Sequence, residues 1–406
     1  MKKKLTIIGI NYYPEDTAIG LYTSQLATYF NNEGVEVSVL TGFPYYPSWK
    51  ISKSYKNKSW FYKENINGVQ VYRYKQYVPQ RPTFLRRIFH LLDFTFGTFI
   101  NLFKIQKADV VLCIVPFTST IFLGSILAKL KKAKLWIHIQ DFEFDAASDS
   151  EMTKKKSKTS IFYKVLFRVE KRLLQAADVR STISHSMLKK LVSKNADKKS
   201  VLLPNWVDLS TIDPVLSTRH HYLKSDGFKI LYSGNIGEKQ DWEFFLQFAK
   251  QLEKNKQIEL IIVGDGSKRS WLENELIGSK NVTLYPPVPY SELSDLLCSA
   301  DLHFLFQKGD IIDAVMPSKI LGMMASEKPS LITGNLNSEV STIISESKAG
   351  AYFSSSELIK VLDFVSLVER DLSLRKEFGI NARKYVSKNF SKDEVLKQFK
   401  RVLETI

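Results

Sequence analysis

Residues 229–242 read Lys-Ile-Leu-Tyr-Ser-Gly-Asn-Ile-Gly-Glu-Lys-Gln-Asp-Trp. A short apolar run ends in a turn carrying two glycines and a lysine, and helical periodicity begins near Trp242. The chain opens in the same way. Leu5–Ile10 is apolar, Asn11–Gly20 is irregular, and Leu21–Asn31 has the spacing of an amphipathic helix. A strand–turn–helix unit that restarts half-way along predicts a second α/β layer structure with its own parallel sheet.

Working outward from the first unit, strands are predicted at Val35–Thr41, Val69–Tyr74, Asp109–Val115, Lys134–Gln140, Val179–Ile183 and Val201–Pro204. Helical spacing covers Phe84–Phe103, Thr118–Leu130, Thr159–Ala176 and Ser184–Ser193. After the restart, strands are expected at Lys229–Ser233, Ile258–Val263, Val282–Tyr285, Leu302–Phe306 and Ser330–Thr333. The intervening helices are Trp242–Lys254, Ser267–Leu276, Ser291–Ser299 and Pro317–Ala325, and the last sixty residues are nearly all helical in pattern. Asp208–Asp226 is polar and aperiodic, with breakers at Pro214 and Gly227, so a hinge is placed near Asn205–Asp208. The expected organisation is a Rossmann-like domain at 1–206, a second at 207–385, and a final helix at 386–406 returning toward the first. Ligands of such sheets bind outside the carboxyl ends of the strands, here in a cleft between the halves.

The length of 406 residues suits two domains, and 44% hydrophobic with 25% charged residues is an ordinary globular composition. Two cysteines cannot build a disulfide framework; Cys113, inside an apolar run, and Cys298 read as buried thiols in a reducing compartment. Lys2–Lys4 precede an apolar run far too short for a secretory h-region, so a cytoplasmic protein is expected. The net charge of +16 is unevenly spread. Residues 1–205 carry 33 Lys/Arg and 15 Asp/Glu, whereas 206–406 carry 25 and 27. The first half therefore faces something anionic: nucleic acid, anionic lipid or a phosphorylated substrate. No helix-turn-helix, zinc-finger or RNA-binding signature is present, which sets nucleic acid aside.

Five segments carry candidate chemistry. Gly20 at a helix entry allows a ligand to approach backbone N–H groups, although G-x-G-x-x-G is absent. Gly234, Asn235 and Gly237 with Lys239 suit a pyrophosphate, and Gly264 adds a second glycine-lined edge. In Asp313–Ala325, Pro317, Ser318 and Lys319 open a helix; a lysine there opposes the dipole unless an anion sits nearby. His138-Ile139-Gln140-Asp141-Phe142-Glu143-Phe144-Asp145 closes a strand with a histidine and three carboxylates, the place for a polar active site. No cysteine or second histidine supports zinc there. Finally, Gln80–Ile105 sets Arg81, Arg86 and Arg87 beside six phenylalanines, either a helix lying in a membrane surface or a buried helix of a large domain.

Taken together, these residues resemble the family 4 retaining glycosyltransferases of GT-B fold, and among them the enzymes of colanic-acid and related exopolysaccharide synthesis. The resemblance rests on Gly9–Glu15, Ile19–Thr23, Pro44-Tyr45-Tyr46-Pro47, His138–Asp141, Pro204-Asn205-Trp206, Tyr232–Gln240 and Asp313–Lys319. It implies a nucleotide-diphosphate sugar, GDP- or UDP-linked, in the second domain, with L-fucose or another deoxyhexose as the first guess. It further implies a polyprenyl-diphosphate-linked glycan acceptor at the first domain, which would sit peripherally on the inner face of the plasma membrane.

On that resemblance Lys239 and Gly20 would hold the donor pyrophosphate, helped by Gly234, Asn235, Gly237, Gly264, Ser318 and Lys319. Asp141 or His138 would orient acceptor or sugar, and Glu15, Arg81, Arg86 and Arg87 would face acceptor and membrane. No metal or other cofactor is expected, because helix N-termini and lysine stabilise the departing diphosphate. Many family members hold the nucleotide ribose with a glutamate where this chain has Gly322, so Asp313 is expected to take that role. A nucleotide-sugar 2-epimerase of the same architecture and a non-enzymatic anion-binding protein are the competing readings.

Overall fold

Val110–Val115 is apolar throughout and buried along its whole length, as a central strand of a parallel sheet covered on both faces must be. It lies in the first of two α/β units. The computed structural model describes residues 2–16, 18–81, 83–116, 118–142, 159–194, 199–310 and 319–406. Asp313 and Ser318, together with Glu143 and Asp145, lie outside them. Unit 1 comprises Met1–Pro204 and Leu396–Ile406; unit 2 is Asn205–Val395.

In unit 1 the strands are β1 (Lys4–Ile8), β2 (Glu36–Gly42), β3 (Phe61–Ile66), β4 (Val69–Tyr74), β5 (Val110–Val115), β6 (Lys134–Ile139), β7 (Val179–Thr182) and β8 (Ser200–Leu202). Their order is β3-β4-β2-β1-β5-β6-β7-β8, parallel except at β3. The helices are α1 (Ala18–Asn32), α2 (Phe84–Leu102), α3 (Ser119–Lys131), α4 (Thr159–Gln175) and α5 (His185–Lys194).

Hydrophobic pattern does not predict β3. It pairs antiparallel with β4 through Asn67 and Gly68, both at positive φ (50° and 86°), the geometry of a type I′ hairpin turn. The Asn-Gly dipeptide was the available signal; the polar Lys63-Glu64-Asn65 hides an edge strand with little to bury. Arg73 fastens this edge from inside. It is fully buried, pairs with Glu64, and donates to the carbonyls of Gly42 (3.0 Å) and Tyr13.

Unit 2 holds β9 (Phe228–Ser233), β10 (Ile258–Val263), β11 (Val282–Tyr285), β12 (Leu302–Phe306), β13 (Ser330–Gly334) and β14 (Gly350–Ser354), ordered β11-β10-β9-β12-β13-β14 and all parallel. Its helices are α6 (Trp242–Leu252), α7 (Arg269–Glu275), α8 (Leu293–Cys298), α9 (Lys319–Ala325), α10 (Glu339–Ser347), α11 (Leu358–Arg370) and α12 (Leu372–Phe390). The last helix, α13 (Lys392–Glu404), begins in unit 2 and ends in unit 1. There Phe399 packs against Trp136 and His138 of β6, and Lys400 pairs with Glu33 at 2.6 Å.

Each sheet reverses its winding once. In unit 1 the β1 connection runs to β2 and the β5 connection runs the other way to β6. In unit 2 the same divergence separates β9 from β12. Such a switch point leaves a crevice beyond the carboxyl ends of the two strands. The loops that follow β1 and β9 leave the sheets there, and the His138–Asp141 segment closes β6, next to β5.

Candidate active site

In unit 2 the β9 strand delivers Tyr232 and then Gly234 to the switch point. Gly234 has φ +142°, and a Cβ on it would lie 2.2 Å from Lys319 Cε and 2.4 Å from Lys319 Nζ. The bare glycine therefore makes room for the Lys319 side chain, which enters from the start of α9. Lys319 Nζ donates to the Tyr232 hydroxyl at 2.9 Å and stands over its ring, and that hydroxyl donates to the Asn235 carbonyl at 2.6 Å. Among the described residues Lys319 has no carboxylate partner. Burial pushes its ammonium pKa down to about 8. A half-buried cation with no carboxylate partner among the described residues, at a switch point, is a place where a bound anion lowers the free energy.

The remaining glycines act differently from expectation. Gly234 N donates to Val263 O (2.9 Å) and Gly237 N to the Gln240 side chain (3.1 Å), so neither N–H waits for a phosphate. Gly264 is needed for backbone contact: a Cβ there would lie 1.9 Å from the Gly234 carbonyl oxygen. Arg269 fixes the same edge by donating to the carbonyls of Gly264 and Tyr285. What this loop presents outward is side chains. Asn235 and Lys239 are both exposed, and the Lys239 ammonium has no partner among the described residues.

Gly322 lies on α9, where an added Cβ would meet Leu297 Cδ1 at 3.2 Å and Ile212 Cδ1 at 3.6 Å. The position packs against aliphatic carbon.

In unit 1 the β6 strand brings His138, Gln140 and Asp141 to the carboxyl edge beside β5. His138 is 1% exposed and bonded at both nitrogens, to Ser181 Oγ at 2.9 Å and to Gln140 Nε2 at 3.0 Å. Since Gln140 Nε2 donates, Nδ1 carries the proton and Ser181 accepts it. Burial drives the pKa down to about 3. The expectation of a catalytic His138 is corrected: the ring is a neutral, enclosed support for Gln140. Asp141, half-buried, follows Gln140 as the second residue beyond the strand.

Glu15 and Gly20 come together. Glu15 is 5% exposed; its Oε1 accepts from the Tyr45 and Tyr46 amides (both 2.8 Å) and its Oε2 from Asn11 Nδ2 (2.8 Å). Burial raises its pKa against the pull of those bonds. Gly20 is glycine because Glu15 Cβ would sit 2.7 Å from a Cβ there. Glu15 and the bare Gly20 form one structural latch that holds the 45–49 loop. Arg81, Arg86 and Arg87 are exposed, and Arg87 stacks over Trp49 at 5.4 Å.

One group of metal-ligating types exists among the described residues, His220, His221 and Glu292. His220 Nδ1 accepts the Tyr222 amide, so Nε2 carries the proton and faces Glu292 at 3.2 Å. This is a capped turn whose tautomer is wrong for a ligand.

Two family models cover the chain in succession. Residues 17–206 match the glycosyl transferase 4-like domain and residues 218–385 match glycosyl transferases group 1. The chain is 33% identical over 98% of its length to the putative colanic acid biosynthesis glycosyl transferase WcaI of Escherichia coli K12, covering 98% of that protein. The chain belongs to the family 4 glycosyltransferases, with the GT-B fold. In fold it matches a sucrose-phosphate synthase from Thermosynechococcus elongatus (TM-score 0.72, 12% identity, 100% of this chain and 99% of that one). It likewise matches HepE of Anabaena in complex with UDP-glucose (TM-score 0.68, 11% identity, 99% and 100%).

Proposed function

We propose that this glycosyltransferase moves a sugar from a nucleotide-diphosphate donor to a lipid-linked glycan in the synthesis of a bacterial surface polysaccharide. The observation that carries the reading is the Lys319 ammonium, sunk beside Tyr232 against bare Gly234 and lacking an ionic partner among the described residues. The donor diphosphate supplies that partner. The exposed Lys239 and Asn235 side chains of the adjoining loop reach the same anion from the solvent side. The UDP-glucose held by HepE supports a nucleotide sugar, and the likeness to WcaI supports an exopolysaccharide product. GDP-L-fucose and a UDP-sugar are the donors to try first.

In the proposed mechanism the bond between the anomeric carbon and the diphosphate oxygen breaks as an acceptor hydroxyl bonds to that carbon on the same face. The negative charge grows on the departing diphosphate, where Lys319 and Lys239 stabilise it without a metal ion. The acceptor proton passes to a diphosphate oxygen, and the configuration is retained. Asp141, at the end of β6, orients the incoming hydroxyl, while His138 holds Gln140 beside it. The basic surplus of residues 1–205 suits an acceptor that itself carries a diphosphate and is embedded among anionic headgroups at the inner membrane face.

The test is transfer of label from GDP-fucose and a set of UDP-sugars to polyprenyl-diphosphate glycans, with and without chelator. Chelator-resistant transfer is expected. Labelled sugar that never leaves the nucleotide with any acceptor or water would contradict the reading.

A further inference from the structure

Helix α2 has two faces that sort cleanly. His90, Phe94, Thr98, Asn101 and Leu102 are buried against the unit 1 sheet and its neighbours, and a Cβ on Gly97 would strike the Tyr74 ring at 2.2 Å. The opposite face exposes Leu85, Phe89, Leu92, Phe96, Ile100 and Phe103. Their spacing of three and four residues places them on a single stripe along a helix about 28 Å long. Phe89, Phe96 and Phe103 are 64%, 71% and 67% exposed. A row of open phenylalanines on one helix far exceeds the scattered apolar residues normal on a surface.

Charge identifies what covers the stripe. Arg81, Arg86 and Arg87 stand at its start and Lys104 and Lys107 beyond its end. The helix contains one acidic residue, Asp93, and it is turned inward, accepting from the Tyr74 hydroxyl (3.0 Å) and the Tyr77 amide (2.5 Å). A second copy laid on this face would set cations against cations in either orientation. An anionic lipid surface neutralises both ends and takes up the apolar row between them. The helix is not a membrane span, since among the described residues no helix is long and apolar enough to cross.

We propose that α2 is the membrane seat of this enzyme, lying in the plane of an anionic leaflet with the Leu85–Phe103 stripe in the headgroup–acyl boundary and the flanking Arg and Lys among lipid phosphates. The inference deepens the lipid-linked acceptor reading and rests on it. It gives the function of a helix whose outward face the fold does not use.

The experiment uses the full chain with vesicles of phosphatidylcholine and phosphatidylglycerol in equal parts, and with phosphatidylcholine alone. The chain is expected to sediment with the mixed vesicles, less as salt rises, and weakly with the neutral ones. The double variant Phe89→Ser/Phe96→Ser, at exposed positions, should lose at least about tenfold in vesicle affinity. Leu367→Ser, an exposed apolar residue of unit 2, should change nothing. Phe96→Trp places a reporter in the stripe; its fluorescence should be quenched by lipids brominated on the acyl chain. Equal vesicle affinity of the double variant, or no quenching of bound Phe96→Trp, overturns the proposal. So does wild-type chain that ignores vesicles but falls from dimer to monomer in the double variant. UDP and GDP binding to the same preparations separates the two readings. Nucleotide binding without vesicle binding removes the α2 proposal alone, and vesicle binding without nucleotide binding leaves α2 and removes the donor site.

Discussion

Lys319 Nζ lies 2.9 Å from the Tyr232 hydroxyl, and the side chain that carries it occupies the space a Cβ on Gly234 would take. The aromatic oxygen is a weak substitute for a counter-ion, and no carboxylate among the described residues pairs with the ammonium. Replacing it with Met keeps the length and the apolar stem. Lys319→Met should weaken UDP or GDP binding by roughly tenfold or more, the scale of one charge-assisted contact. Tyr232→Phe removes only the positioning oxygen and should cost about threefold, by the same scale. Isothermal titration of both variants checks the order.

The pH dependence of that binding has a definite sign. Free Lys319 loses its proton near pH 8, while a bound diphosphate favours the ammonium. Binding therefore takes up a proton, and affinity should fall as pH rises above about 8, at most tenfold per unit. The fall should flatten in Lys319→Met. An identical profile in both proteins would place the titrating group elsewhere.

Gly264→Ala would set a methyl group 1.9 Å from the Gly234 carbonyl oxygen, a backbone atom that cannot swing aside. The β9 and β10 loops must then part. A loss of about 1–3 kcal/mol in unfolding free energy is expected, with a matching loss of nucleotide affinity. Denaturant unfolding and titration of the same sample measure both.

His138 and His303 are each fully enclosed, with pKa values pushed down to about 3 by burial. In the unfolded chain both would titrate near 6.5. Between those values the unfolded state binds more protons, so this contribution to stability is complete above pH 6.5 and is lost as the pH falls toward 3. Each histidine contributes a slope of about 1.4 kcal/mol per pH unit in that window. His303→Gln should reduce the acid slope of unfolding in urea, and an unchanged slope would contradict the assignment.

Asp141→Asn keeps the shape of the side chain while removing its charge. Turnover should fall by about tenfold or more with donor affinity little changed, because the residue sits at the unit 1 sheet edge whereas the donor groups proposed above, Lys319, Lys239 and Asn235, belong to unit 2. Steady-state kinetics with saturating donor separate the two effects.

Much of this was legible in the sequence. Apolar runs such as Val110–Val115 and Leu260–Val263, bounded by turn signals, read as doubly covered strands, and their alternation with amphipathic helices predicts a parallel sheet in each half. The β3 edge was not, because a solvent-facing strand has no apolar pattern to display; only its Asn67-Gly68 turn announced it. At the site, residue type located the chemistry but not which atom performs it. Gly20, Gly234 and Gly264 read as phosphate cradles, whereas two of them are bare to admit a neighbour's side chain and one to admit a carbonyl. Glu15 and His138 read as ligand contacts because polar residues at strand ends usually are exposed. Their burial depends on partners distant in sequence, Tyr45 and Tyr46 for one and Ser181 for the other, which no local pattern records. Lys319 was singled out in the sequence as a lysine set against a helix dipole, and the structure puts its side chain beside Tyr232 and Gly234.

The most direct test of the central claim is a thermal-shift comparison of wild type and Lys319→Met with UDP, GDP, dTDP, ADP and CMP, in the absence of metal. A nucleotide at one hundred times its dissociation constant stabilises the folded state by about 2.7 kcal/mol. The account predicts a clear rise in Tm with UDP or GDP in the wild type and little in the variant. No rise with any nucleotide, or an equal rise in Lys319→Met, would contradict a donor diphosphate held by Lys319.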